Sequence, residues 1–327
     1  MKQRGFAVWM LAAGLAVGTA AAQVGEFEGA KDVGVMARPG RAVYDAGRKS
    51  YTITAGGENV WGTRDAFHFV WKRVTGDVSI AAEAEFATKG GNPHKKAMLM
   101  IRQSLDAGSA YADAAIHADG LTSLQARDTF EGTTHEVQAG VKGPRRVKLI
   151  KRGDRFYMMV AGAGEEYRLA GGSMRVTMSG PVYVGIGVCS HEKDAEETAT
   201  FRNVEIAAVP AAPGELKLYS TLETVAVAST DRRAVYTAPG RFEAPNWSAD
   251  NQLYYNGGGR LYRIPAEGGE PALIDTGSAV RLNNDHAISP DGKEMAISDG
   301  SEPDRKSRIY VVPIGGGQPR RVTEKAP

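Results

Sequence analysis

One stretch near the end of this chain is written twice. Arg260-Leu261-Tyr262-Arg263-Ile264-Pro265, followed by Gly268-Gly269-Glu270-Pro271, returns as Arg308-Ile309-Tyr310-Val311-Val312-Pro313 with Gly316-Gly317-Gln318-Pro319, 48 positions on (260 to 308). Trp247-Ser248-Ala249-Asp250-Asn251 returns as Ile288-Ser289-Pro290-Asp291-Gly292, 41 positions on (248 to 289). A period in the forties, built from short strands, is the signature of propeller blades. In each unit Ser-(Ala/Pro)-Asp is predicted to turn the innermost strand into the next. The run to Tyr262 or Tyr310 is then the third strand, and Gly-Gly-x-Pro turns into the fourth.

Leu222-Glu223-Thr224-Val225-Ala226-Val227 and Arg233-Ala234-Val235-Tyr236-Thr237 read as the two outer strands of an earlier blade. Residues 218–327 therefore hold about two and a half blades, where a closed propeller needs at least four. The expectation is a C-terminally incomplete version of a longer protein. With its Ser-x-Asp turns and Gly-Gly-x-Pro corners, the repeat resembles the TolB-like propeller family. Residues 210–217, Pro-Ala-Ala-Pro-Gly-Glu-Leu-Lys, read as the linker ahead of it.

Before that linker the period changes. Val78, Ile80, Ala82, Ala84 and Phe86 alternate with Ser79, Glu83 and Glu85, as a half-buried strand requires. Leu99 and Ile101, then Ala112, Ala114 and Ile116, then Leu124 and Ala126 continue the alternation. Arg146-Val147-Lys148-Leu149-Ile150 and Phe156-Tyr157-Met158-Met159-Val160 flank a Gly153-Asp154 turn and read as a hairpin. Strand after strand with no helical stripe predicts a β-sandwich. A balance of 40 Gly and 15 Pro suits that turn-rich architecture. Val60-Trp61-Gly62-Thr63-Arg64-Asp65-Ala66-Phe67, Met98 to Arg102, Arg152 to Phe156, Val184 to His191 and Ala199 to Val204, in that order, resemble a bacterial branch of the concanavalin A-like (laminin-G-like) sandwiches. The expected fold is thus all-β: a concanavalin A-like sandwich, or jelly roll, over 23–209, followed by a partial TolB-like propeller.

Residues 1–22 join a cationic start, an apolar run from Phe6 to Gly18 and Thr19-Ala20-Ala21-Ala22, the three parts of a secretory signal. Cleavage is expected after Ala22, which predicts a periplasmic or secreted protein with no stable membrane insertion. No Cys follows the signal to carry a lipid. Removing Lys2 and Arg4 leaves 38 of the 40 cations against 38 acids, so nothing favours nucleic acid. Cys189, the single cysteine, ends an apolar strand and reads as a packed, inert thiol.

Standard catalytic constellations fail in turn. Gly171-Gly172-Ser173-Met174-Arg175 breaks the nucleophile elbow at its last position. His135-Glu136 and His191-Glu192 lack the second histidine of a zinc helix. Glu83 and Glu85 depart from the carboxylate spacing of sandwich glycosidases and read as a solvated strand face. The candidate ligand face is Arg102, Tyr111, Asp113, His117, Gln125 and Arg127, which share one side of three strands if those strands pair in sequence. Arg and Asp there suit hydroxyls or carboxylates, and Tyr111 offers a ring. A second set, Glu243, Trp247, Asn284, Asp285 and His286, is placed by the blade reading along a central channel. No metal or cofactor is expected. Calcium, common in the sandwich superfamily, cannot be placed on any loop.

Together these readings predict an exported, non-catalytic binding or scaffold protein that meets envelope proteins or glycans. The alternatives are a carbohydrate-active enzyme of the glycoside hydrolase or lyase type, and the propeller part of an exopeptidase.

Overall fold

The computed structural model describes residues 23–144, 146–210 and 218–324. The signal segment 1–22 with its cleavage site, and residues 211–217 of the linker, lie outside the described residues. Among those described there is no helix, and hence none long and apolar enough to cross a membrane.

Alternating strands give each sheet an apolar face, and two such faces meet. The larger sheet holds nine strands in the order Gly29–Val33, Phe67–Val74, Val182–Cys189, Lys96–Arg102, Tyr111–His117, Thr122–Arg127, His135–Gln138, Arg232–Pro239 and Tyr219–Val225. The other has eight strands and is centred on Val78–Phe86, with Arg146–Arg152 on one side and Glu197–Ala208 on the other. Leu99, Ile101, Ala112, Ala114 and Leu124 from the first pack in one cluster with Ile80, Ala82, Val147, Leu149, Met158 and Phe201 from the second. Burial of that apolar area is the main force holding the two sheets together. The hairpin expected around Gly153 is present, with Arg146–Arg152 antiparallel to Arg155–Ala161 and Gly153 at φ 58°.

Each copy of the repeat folds into its own four-stranded antiparallel sheet, Phe242–Trp247 to Ala272–Ile274 and Leu282–Ile288 to Arg320–Arg321. The repeated residues have matching local jobs. Ser248 Oγ donates to Asp250, and Ser289 Oγ donates to Asp291, each closing the turn between the first and second strands. Gly268 and Gly269 stand at φ 104° and 126°, Gly316 and Gly317 at φ 99° and 141°, backbone that a side chain strains.

The strands at 219–239 have two loyalties. Arg232–Pro239 is bonded into the nine-stranded sheet, parallel to His135–Gln138 through Val137↔Arg232 and Gln138↔Arg233. Their side chains Leu222 and Val235 instead pack on Leu253, Tyr255, Ile264 and Ala266 of the first four-stranded sheet. Main chain thus ties them to the two-sheet body and apolar area ties them to the repeats. Arg232, which bonds both Glu223 and the Ser173 carbonyl, reinforces the joint.

Candidate functional site

The three strands that carry the candidate face do pair in sequence order. Arg102 stands opposite Tyr111 and Tyr111 opposite Arg127, with Asp113 opposite Gln125 in the next row. Sharing a face does not make it a groove, because all six residues, His117 included, are buried. The cover is the short hairpin Val60–Trp61 with Arg64–Asp65. Asp65 enters beneath it, 2.7 Å from Arg127 and 3.3 Å from Arg102, all three side chains fully excluded from solvent. Arg127 also donates to the carbonyls of Trp61, Gly62, Ala107 and Ser109, while Arg102 Nε donates to Ser104 O at 2.7 Å. Guanidinium groups that the sequence suggested for a ligand are therefore occupied by the protein's own hairpin. A buried ion triad with this many donors filled is a closed structural unit.

Next along the face, Lys96 Nζ donates to Val60 O at 2.7 Å and to Gln125 Oε1 at 3.1 Å, and stands over the Trp61 ring. Asp113 lies fully buried, and burial raises its pKa well above the ordinary carboxylate value, against the pull of Lys96. The neutral acid is the form this environment favours. Burial, with Lys96, His94 and His191 nearby, pushes His117 down to about 3. Around these groups Val33, Val60, Phe67, Phe69, Met98, Met100, Ala115 and Cys189 make a second core on the outer side of the sheet. Cys189 is fully buried and its thiol is pushed up by desolvation, which fits an inert sulfur.

Glu83 and Glu85 lie on the other sheet, where Asn203 Nδ2 donates to Glu83 and Arg202 pairs with Glu85.

The second candidate set is partly assembled. Phe242–Trp247 and Leu282–Ile288, the first strands of the two repeat sheets, are neighbours, and Asn246 Nδ2 donates to His286 O at 3.2 Å. Asn284, Asp285 and His286 line a hollow of 370 Å³ with Ile297 and Ile309. Burial lowers the His286 pKa. Glu243 and Trp247 are exposed and are not among that hollow's lining, and Trp247 Nε1 donates to Asn251.

What sequence reasoning missed lies where the strands at 219–239 join the two halves. A cleft of 570 Å³ is walled by Gly140, Glu165 and Arg168 of the body, by Ala234 to Thr237, and by Glu270 of the first repeat. It shares Tyr236 and Glu270 with a hollow of 400 Å³ lined by Phe242, Tyr255 and Tyr262. Tyr255 and Tyr262 stand opposite each other in register and stack at 5.5 Å with 16° between their planes. Phe242 packs on Tyr255 at 5.1 Å. A concave site between packed units, with aromatic walls and a few charges, is the usual form of a binding site. The available signal was the tyrosines at 236, 255 and 262, whose meeting depends on a register that only the fold reveals. Among the described residues, no group of three His, Cys, Asp or Glu side chains is placed to hold a metal ion.

No protein-family model matches the chain. A curated relative, an uncharacterized protein of Agrobacterium fabrum, is 46% identical over 110 residues, covering 33% of this chain and 37% of the relative. The chain thus spans little more than a third of that relative's length. Among solved structures, a putative TolB from Agrobacterium tumefaciens is 43% identical over 35% of this chain and 41% of its own, with a TM-score of 0.32. A functionally unknown protein from Saccharomyces cerevisiae matches 56% of this chain and 97% of its own at 16% identity and a TM-score of 0.44. An alginate lyase of polysaccharide lyase family 7 matches 52% of this chain and 82% of its own at 11% identity and a TM-score of 0.30.

Proposed function

We propose that this chain is an exported, non-catalytic binding protein of the bacterial cell envelope, a concanavalin A-like sandwich followed by TolB-like blades, that holds its ligand in the cleft between them. The sandwich reading is supported by two antiparallel-rich sheets closed around one apolar core. The blade reading is supported by two four-stranded sheets whose repeated Ser-x-Asp and Gly-Gly turns fall at equivalent corners. The export reading is supported by the signal-like first 22 residues.

The observation that carries the binding site is the 570 Å³ cleft with its aromatic annex. The face carrying Arg102, Asp113 and Arg127 is closed by the protein's own hairpin, whereas the junction is open and roomier than the 370 Å³ hollow at Asn284, Asp285 and His286. Glycan and peptide arrays probed with the full chain, in parallel with Tyr236→Ala and Glu270→Arg, test this. Binding by the parent that both variants weaken at least tenfold is the expected result. Binding indifferent to both changes would contradict the site. Turnover of a saccharide or peptide that one carboxylate substitution abolishes would contradict the non-catalytic reading.

A further inference from the structure

Open sheets have edges, and three of the four outer ends of the two large sheets are guarded. Arg168–Leu169 is two residues long, Tyr219–Val225 is bulged between Leu222 and Glu223, and Gly29–Val33 carries Lys31 at its centre. Short strands, bulges and lysine are common means of keeping an edge from pairing with another chain. The remaining end, Arg41–Asp45 of the eight-stranded sheet, has none of them. It pairs with Ser50–Ala55 without a register shift, from Arg41↔Thr54 to Asp45↔Ser50, and no residue in it has a positive φ. On its other side, among the described residues, no strand pairs with it and no other backbone hydrogen bond reaches it. Ala42 and Tyr44 pack towards the core, Tyr44 lying 4.6 Å from the Tyr51 ring. Arg41, Val43 and Asp45 face solvent, and Val43 is 63% exposed with Thr52 as its neighbour in register.

The strand reads Arg-Ala-Val-Tyr-Asp, which is complementary to itself when reversed. Laid antiparallel against a second copy about a two-fold axis at Val43, it sets Arg41 of each copy opposite Asp45 of the other. Val43 then meets Val43, and Ala42 meets Tyr44. Side chains directly opposite share a face, so the solvent side gains an ion pair, an apolar pair and a second ion pair. A slip of two residues leaves Arg41 or Asp45 opposite Val43, and an in-register parallel pairing sets like charges side by side. Both charged groups have room for this. Arg41 is 62% exposed beside Glu196, and Asp45 uses Oδ1 to accept from the Gly47 and Arg48 N–H groups, which leaves Oδ2 for the incoming guanidinium. The geometry points to a second copy of this chain as the occupant of this edge: the protein forms a two-fold dimer in which the eight-stranded sheets continue into each other through Arg41–Asp45. This inference is independent of the ligand site at the junction. A five-residue edge is a small contact beside a standard interface of about 1,600 Å², so the dimer is reversible and fills as concentration rises.

Sedimentation equilibrium of the full chain over a rising concentration series tests this, and a monomer–dimer scheme should fit. Arg41→Glu places a carboxylate opposite Asp45, and Asp45→Lys places an ammonium opposite Arg41, each twice across the axis. Either variant alone should therefore dimerise at least about tenfold more weakly than the parent, with circular dichroism confirming that each folds. Mixed together, the two variants should form a heterodimer close to the parent in strength, because every charge pair across the axis is then of opposite sign. A parent that stays monomeric throughout the series would overturn the dimer. So would a variant that self-associates as tightly as the parent, or a mixture that associates no more tightly than its separate components.

Discussion

The two halves of this molecule place most of their charged residues differently, Asp299 being the buried acid among the described residues of the repeats. In the two-sheet body, Lys96, Arg102, Asp113, His117 and Arg127 alternate along strands in the pattern of a solvated face, and every one is buried, with Lys96, Arg102 and Arg127 bonded to the covering hairpin. In the repeat sheets, Asp250 and Asp291 stand in exposed turns, and the Arg308–Asp304 ion pair also holds its acid at the surface, while tyrosines fill the interior. A period of two says which residues share a side. Whether that side meets water depends on a segment elsewhere in the chain, and the same alternation describes both outcomes.

The sharpest way to break this contrast is to remove the acid that closes the body. Asp65→Ala leaves two guanidinium groups buried without their carboxylate and should lower stability by about 3–5 kcal/mol in urea melts. A loss below 1 kcal/mol would mean the hairpin is an open surface flap. Leu222→Ala comes next, removing a side chain that joins the shared strands to the first repeat, at about 2–4 kcal/mol. If the joint is as continuous as its hydrogen bonds imply, probes in both halves should report that loss together.

The pH dependence separates two buried groups of opposite sign. His117 is held near 3 in the folded chain against an unfolded value of about 6.5, so the unfolded chain takes up the proton first. Stability should therefore fall as pH drops from about 6.5 towards 3, by up to about 1.4 kcal/mol per unit, and His117→Leu should flatten that limb. Asp113 is raised when folded, so the folded chain binds its proton more tightly. Its neutral form supports the fold below the unfolded value and that support is lost as pH rises. Asp113→Asn should accordingly stabilise the protein at pH 8, with a gain that shrinks as pH is lowered towards 4, read by melts across pH. A gain that grows on acidification would show the carboxylate to be ionised and paired. Smallest of all, Ser289→Ala in the repeat turn should cost about 0.5–1.5 kcal/mol, since its hydroxyl's two exposed hydrogen bonds, to Asp291 and from the Glu294 N–H, are lost.

Much of the architecture was legible because it is local. The alternation of Val78 to Phe86, the Gly153 hairpin and the doubled Ser-x-Asp and Gly-Gly turns each state their own geometry within a few residues. Even the shared face of Arg102, Asp113 and Arg127 followed from in-sequence pairing. The cover did not, because Val60-Trp61 and Arg64-Asp65 form a hairpin too short to declare itself, and Asp65 meets Arg127 across 62 positions of chain. The cleft was hidden for the same reason. Gly140, Glu165, Tyr236 and Glu270 are brought together by the parallel contact of Val137 with Arg232, which no periodicity announces.

Cys189 offers the most direct test, since it is the single cysteine and lies in the outer core beneath the closed face. The full chain should be titrated with an aromatic disulfide reagent under native conditions and again through a urea unfolding series. A closed face predicts that the thiol stays unreactive until the unfolding transition and then reacts as one equivalent. One equivalent reacting promptly in the native protein would contradict the closure, and with it the assignment of ligand binding to the junction.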